Sequence, residues 1–196
     1  MEIAPTQRLK FRPLTADDSA AVLHLFNRDP DFAMLGGRRR RYSAEETHEY
    51  IGSVLDATPR PGIPVERHAW LLLQSDGELA GVAEMGFVHP VDGIPWIGLL
   101  QIRADLKGNG LGRDAVGALE AAVVARNFPE VGLSVLLANE PAQRFWEKVG
   151  YHNVGERGDG AMRSAIYHKR LIADPHAPRG GGMVAPPSLP ERRPPF

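Results

Sequence analysis

Residues 99–112 read LLQIRADLKGNGLG, an apolar run that enters a glycine-rich turn and then opens a helix. This layout aims unpaired backbone N–H groups and the positive end of a helix dipole at one point, which suits a phosphate group. Gly108, Gly110 and Gly112 let the backbone approach a ligand with no Cβ in the way. Lys107 and Arg113 add positive charge. A P-loop needs its lysine after the glycines, and here the lysine comes first. The dinucleotide fingerprint G-x-G-x-x-G/A fails at its sixth position, which is Arg113, and its acidic ribose partner should follow the next strand, whereas Glu130 precedes it. The pattern [Q/R]-x-x-G-x-[G/A] fits as Lys107, Gly108, Asn109, Gly110, Leu111 and Gly112, with lysine at its first place. The plain alternative is a tight structural turn, because a short glycine motif is weak evidence alone.

The elements around this turn alternate. Strands are expected at 9–13, 68–74, 79–88, 96–103, 131–137, 151–156 and 162–171. Thr15 can cap a helix to 27, and Ser43 with Glu46 has capping-box spacing for a second, with Tyr50, Ile51, Val54 and Leu55 as its buried stripe. A third helix spans 110–126. Asn139 caps a fourth over 140–149, with Gly150 just beyond its end. The order is β-α-α-β-β-β-α-β-α-β-β. The 96–103 strand is apolar on both faces, as a central strand should be. Gly36, Gly37 and the arginine run 38–41 make a loop.

Composition bounds the rest. The chain has 196 residues, 43% hydrophobic and 24% charged, which is ordinary for a globular domain. A formal net charge of −1 gives no bulk attraction to nucleic acid or to an anionic membrane. Absence of cysteine excludes a disulfide scaffold, thiolate zinc and a cysteine nucleophile. The apolar runs, such as 69–73, fall far short of the roughly 20 residues of a membrane span. No basic-then-apolar N-terminus is visible, so the expectation is a soluble cytoplasmic protein. After residue 172 the composition changes. Pro175, Pro178, Pro186, Pro187, Pro190, Pro194 and Pro195 with the glycine run 180–182 rule out helix or inner strand there. The reading is a domain over 1–172 and an extended tail over 173–196, with a homodimer expected through tail residues Met183, Val184, Leu189 and Phe196.

A second segment, LSVLLANEPAQRFWEKVGY at 133–151, joins the first. Asn139, Ala142, Phe145, Lys148 and Gly150 fit the form N-x-x-A-x-x-F-Y-x-K-x-G-F, with Trp146 at its Tyr and Tyr151 at its last Phe. The two segments together resemble the GNAT superfamily of acetyl-CoA-dependent N-acetyltransferases, most strongly over 96–151. The resemblance implies an α/β (α+β) fold: a mixed, mostly antiparallel sheet of six to seven strands, splayed between the fourth and fifth, with about four helices. It implies direct transfer of an acetyl group from acetyl-CoA to a primary amine of a small molecule or peptide, with no metal. Backbone groups near Leu100 and Ile102 would hold pantetheine, and the Ile102 N–H would polarise the thioester carbonyl. The turn from Lys107 to Arg113 would bind pyrophosphate. Asn139, Ala142, Phe145 and Trp146 would line the thiol side, with the bulk of Trp146 shaping the acyl pocket.

Two departures bear on the chemistry. Lys107 keeps a charge but lacks the planar fork of arginine. Trp146 has no phenol to protonate a departing thiolate, so that role is not carried over. A non-catalytic acyl-CoA-binding or regulatory domain of the same fold is the rival reading. A general base must take a proton from the acceptor ammonium. Glu84, His89 and Asp92 are the candidates. Bases in the family often lie near the start of the fourth strand, which favours Asp92, although Asp92 and Gly93 also form a natural turn pair. His48, His68 and His152 lack ligand-like spacing. The arginines at 38–41 flank the acceptor side in this superfamily and suit an anionic group there or the CoA 3′-phosphate; a solvated loop is the plain alternative.

Overall fold

The computed structural model describes residues 1–172 other than 34, 36–40, 57, 59–62 and 65. The expected tail, Gly36, Gly37 and the arginines at 38–40 lie outside the described residues. Seven strands form one sheet: β1 (Lys10–Pro13), β2 (Glu66–Leu73), β3 (Leu79–Phe87), β4 (Trp96–Ile102), β5 (Glu130–Leu136), β6 (His152–Arg157) and β7 (Ser164–Arg170). Their order across it is β1-β2-β3-β4-β5-β7-β6. Every neighbouring pair is antiparallel except β4 and β5. A parallel pair needs a crossover, supplied here by helix α4 (Leu111–Ala125). The other helices are α1 (Ser19–Asn27), α2 (Pro30–Ala33), α3 (Ala44–Leu55) and α5 (Glu140–Lys148). Among the described residues no helix is long and apolar enough to cross a membrane.

Strand alternation sorts the core into two layers. Ala69, Leu71 and Val82 meet Val22, Leu25 and Phe26 of α1 and Ile51 and Val54 of α3 on one face. Trp70, Leu72, Met85, Ile97, Leu133, Val135 and Tyr167 point the other way, against Leu111, Ala115, Leu119 and Val123 of α4 and Trp146 of α5. The centre of the sheet is therefore covered on both sides, which accounts for the apolar run at 96–103. The face bearing α1 and α3 continues across β5 and β7 as Gly132, Ser134, Ile166 and His168, where a turn rather than a helix lies over it.

The α3 capping box forms as its spacing predicts: Glu46 N donates to Ser43 Oγ at 3.1 Å and Ser43 N to Glu46 Oε2 at 2.8 Å. Thr15 caps the helical segment that runs to Asn27, but its first turn is 3-10. Thr15 N and Oγ1 both donate to Asp18 Oδ2, at 2.8 and 2.9 Å, closing a 3-10 turn at Ala16–Asp18, so the α-helix starts only at Ser19. The other oxygen of Asp18 takes Arg12 Nη2 at 2.6 Å. The short α2 adds a fifth helix. Four residues are too few for a periodic signal, though Pro30 at its first position suits a helix start.

Close strand approach sets one stability prediction. A Cβ on Gly81 of β3 would lie 2.3 Å from the Gln101 backbone oxygen of β4. Gly81→Ala must therefore push two paired strands apart. It should cost about 1–3 kcal/mol. Thermal melting should show a fall of roughly 2–4 °C per kcal/mol; an unchanged melting temperature would mean the ladder yields freely there.

Candidate active site

β4 and β5 pair at only two positions, Trp96 with Gly132 and Ile97 with Leu133. Beyond them the strands diverge. The cause lies in β4: Leu99 pairs with Glu84 and Ile97 with Met85, so Gly98 is an extra residue, a β-bulge that bends the strand. On the other side of the junction the Trp96 ring covers Gly132, where a Cβ would fall 2.6 Å from Trp96 Cζ3. Backbone polarity follows from the ladder. Arg103 N donates to Ala80 O at 2.8 Å, so alternation turns Gln101 and Leu99 toward β3. Leu100 and Ile102 thereby present their backbone groups to the gap between the strands. Such groups form a ready edge for an extended ligand.

The splay leads into the glycine turn. A 3-10 turn at Ala104–Leu106 precedes Lys107, and Gly108 and Gly110 take φ of +82° and +84°, which glycine adopts at little cost. The helix α4 then begins at Leu111. Gly112 faces the Phe145 ring, with a Cβ placed 3.2 Å from Phe145 Cζ. Arg113 is exposed on the first turn. A cation absent from the sequence reading completes the cradle. Arg8, just before β1, donates from Nη1 to the Asn109 carbonyl at 2.7 Å and from Nε to Asp114 Oδ2 at 2.7 Å. The Cβ position of Gly110 lies 3.0 Å from Arg8 Nη2.

Lys107 behaves differently from the expectation. Its ammonium is bound to the buried carboxylate of Asp29, which also takes Gln101 Nε2 at 2.6 Å. Asp29 in turn accepts from Phe32 N at 3.4 Å at the start of α2. Burial alone would raise the Asp29 carboxyl, but the Lys107 and Gln101 hydrogen bonds outweigh it and hold the group below its ordinary value. Lys107 thus links the turn to α2 as Arg8, paired with Asp114, links it to α4, and Arg113 stands exposed beside the glycines.

The three candidate bases occupy distinct environments. Glu84 lies beside the bulge, its Cδ 3.2 Å from the Cβ position of Gly98. Tyr50 Oη of α3 donates to Glu84 Oε2 at 3.2 Å, and Arg67 Nη1 stands 3.5 Å from Oε1. Burial raises the Glu84 carboxyl above its ordinary value, against the opposing pull of Arg67 and Tyr50. Asp92, favoured by position in the chain, is held instead by Arg157 through both guanidinium Nη atoms. That contact keeps its carboxyl below the ordinary range and makes it a poor proton acceptor. Of the three carboxyl and imidazole candidates, Glu84 is the one that burial raises, and Asp92 the one tied to a guanidinium. His89 Nδ1 stands 2.8 Å from Asp92 Oδ2, bent out of line for a hydrogen bond, and its ring stacks on Trp96 at 4.2 Å. Burial lowers the His89 imidazole despite the pull of Asp92.

On α5, Asn139 Oδ1 accepts from Ala142 N at 3.3 Å and caps the helix as expected. Ala142 and Phe145 are partly buried against the core. Trp146, expected to shape the acyl pocket by its bulk, lies among the buried aromatics of α5 and its flank. The side chain is 7% exposed and packs edge-on to Phe145 and Tyr151 at 5.1 and 5.0 Å, so it belongs to the core.

Comparison with known proteins fits this geometry. The model of the acetyltransferase (GNAT) domain family matches residues 8–152. A phosphinothricin N-acetyltransferase from Streptomyces viridochromogenes is 24% identical over 168 residues, covering 84% of each chain. Among solved structures, an acetyltransferase from Thermus thermophilus superposes with a TM-score of 0.69 at 23% identity, over 87% of this chain and 99% of that one. Spermidine N-acetyltransferase from Vibrio cholerae, in complex with CoA and spermine, gives 0.62 at 15% identity, over 85% and 97%.

Proposed function

The chain belongs to the GNAT acetyltransferase family, and from that premise we propose that it moves an acetyl group directly from acetyl-CoA to a primary amine of a small molecule or peptide. The observation that carries the reading is the bulged, two-pair β4–β5 junction opening onto the glycine turn. The turn suits a pyrophosphate because the left-handed Gly108 and Gly110 bring bare backbone to the start of α4, with Arg8 and Arg113 adding positive potential. Leu100 and Ile102 hold the pantetheine through their backbone, and the Ile102 N–H faces the thioester oxygen. Asn139, Ala142 and Phe145 bound the thiol side. Bound acetyl-CoA supplies the activated acyl group. Glu84 takes a proton from the acceptor ammonium, which frees the nitrogen lone pair. A free thiol has a pKa near about 8.5, so the departing sulfur leaves without a dedicated acid.

The test is release of CoA thiol from acetyl-CoA across amines that include spermidine, phosphinothricin, amino acids and peptides, with the product checked by mass. Binding of CoA with no transfer to any amine would support the non-catalytic rival, which the tryptophan at 146 favours. If transfer occurs, Trp146→Phe should keep kcat within about tenfold, since at most a hydrogen bond of roughly 1 kcal/mol is lost. The loss should appear as about 1–3 kcal/mol of stability from the shrunken core. A thousandfold fall in kcat with the fold intact would make the indole a direct participant. A cytoplasmic homodimer belongs to the same reading. Light scattering on the whole chain and on one ending at Ala173 tests it, and a monomeric whole chain would remove it.

A further inference from the structure

On the open face of β5 and β7 the turn at 88–94 and the segment at 158–163 flank an open cavity of about 240 Å³. Its walls are Val91, Trp96, Met162 and Ile166, with Ser134 on the inner side and Arg157 at one edge. Ser134 is the first residue of β5 past the last β4–β5 pair, and Trp96 pairs with Gly132 just before it, so the cavity lies beside the start of the splay. We infer that this cavity seats a compact, uncharged apolar substituent of the acceptor amine, a ring or branched alkyl group. The inference rests on the transfer reading above and names its substrate class.

Size sets one limit. The cavity lies below the roughly 300–1,000 Å³ that encloses a whole drug-sized ligand, so it takes a part of one. Charge sets another. Arg157 is the charged side chain in the wall, and Asp92 occupies both of its Nη atoms. Those two groups thereby satisfy each other, so neither a second ammonium nor a carboxylate finds an unpaired counter-charge in them. His168, on the same face, has Nδ1 3.2 Å from Glu130. His89, which lines the cavity, has Nδ1 2.8 Å from Asp92 Oδ2.

Two further features point to an apolar occupant. Val91 and Met162, at the mouth, are 66% and 61% exposed, unusually open for large hydrophobic side chains. A seated apolar group removes that surface from water. The turn is also held in a costly conformation. Val88 takes a φ of +57°, a region that β-branched residues avoid. Val88 is the first residue beyond β3, and the next, His89, lies on Trp96, with Val91 on the wall of the cavity. Strained backbone persists where surrounding packing enforces it, and it clusters at ligand clamps.

The experiment compares phenethylamine and isopentylamine with spermidine and β-alanine, using the whole chain and acetyl-CoA. The apolar amines should show kcat/KM at least about tenfold higher. Met162→Asp should raise KM for phenethylamine about tenfold and leave the CoA dissociation constant unchanged; as an exposed side chain, Met162 is not needed for folding. Preference for spermidine or β-alanine, or an unchanged KM in Met162→Asp, would overturn the inference. If no amine is acetylated while CoA still binds, the transfer reading fails. The cavity is then judged by phenethylamine titrated against tryptophan emission, where Trp96→Phe should abolish the response. Absence of any response at millimolar amine would overturn the cavity assignment independently.

Discussion

Replacing Glu84 by Gln should lower kcat by about 10²–10⁴-fold while CoA binds as before, the range general-base catalysis contributes. Among the three candidates Glu84 alone joins position at the bulge with a carboxyl raised by burial. A raised carboxyl holds a proton more tightly and is a stronger base once ionised. The base must be ionised to act, so activity should fall as pH drops through the Glu84 pKa. That limb should lie above the ordinary glutamic value and should vanish in Glu84→Gln. Asp92→Asn supplies the contrast. Asp92 braces Arg157 and His89, so its loss should alter KM and stability more than kcat. A Glu84→Gln protein within fivefold of the parent would remove Glu84 from the chemistry.

The second large effect concerns CoA affinity. Gly110→Asp places a Cβ in left-handed backbone, 3.0 Å from Arg8 Nη2, and a carboxylate where phosphate is expected. The Arg8 guanidinium is then drawn to the new carboxylate. One lost charge-assisted contact is worth roughly 1.5–3 kcal/mol, so calorimetry should show CoA affinity reduced by about tenfold or more. Gly110→Ala separates strain from charge: it keeps the φ penalty and adds no anion, so stability should fall with a smaller change in affinity. Unchanged affinity in a folded Gly110→Asp protein would remove this turn from CoA binding.

The glycine turn, the α5 cap at Asn139 and the succession of strands and helices along the chain are legible in the sequence because each depends on residues close together in the chain. What is not legible depends on distance. Arg8 and Asp114 are 106 residues apart, and Lys107 and Asp29 are 78 apart. No local pattern assigns such partners, so the motif around Lys107 carries no trace of its pairing with Asp29. Sequence alone does not separate Asp92 from Glu84, for a related reason. Both are carboxylates near one strand pair, and what separates them is the neighbour each meets: Arg157 from β6 for one, Tyr50 from α3 for the other. The bulge leaves only Gly98 as a trace, a glycine inside an apolar strand.

Because β4 and β5 share two residue pairs, the sheet is mechanically two leaves, β1 to β4 and β5 to β7, with the Trp96–Gly132 stack as the pin between them. Each leaf is laced internally by long antiparallel ladders, so opening is concentrated at the seam. Amide hydrogens of Leu100 and Ile102 should exchange with solvent far faster than those of Leu99 and Gln101, alternate residues of one strand. An extended ligand in the seam would close that contrast by acting as the missing strand, and the protein would then gain stiffness from its substrate.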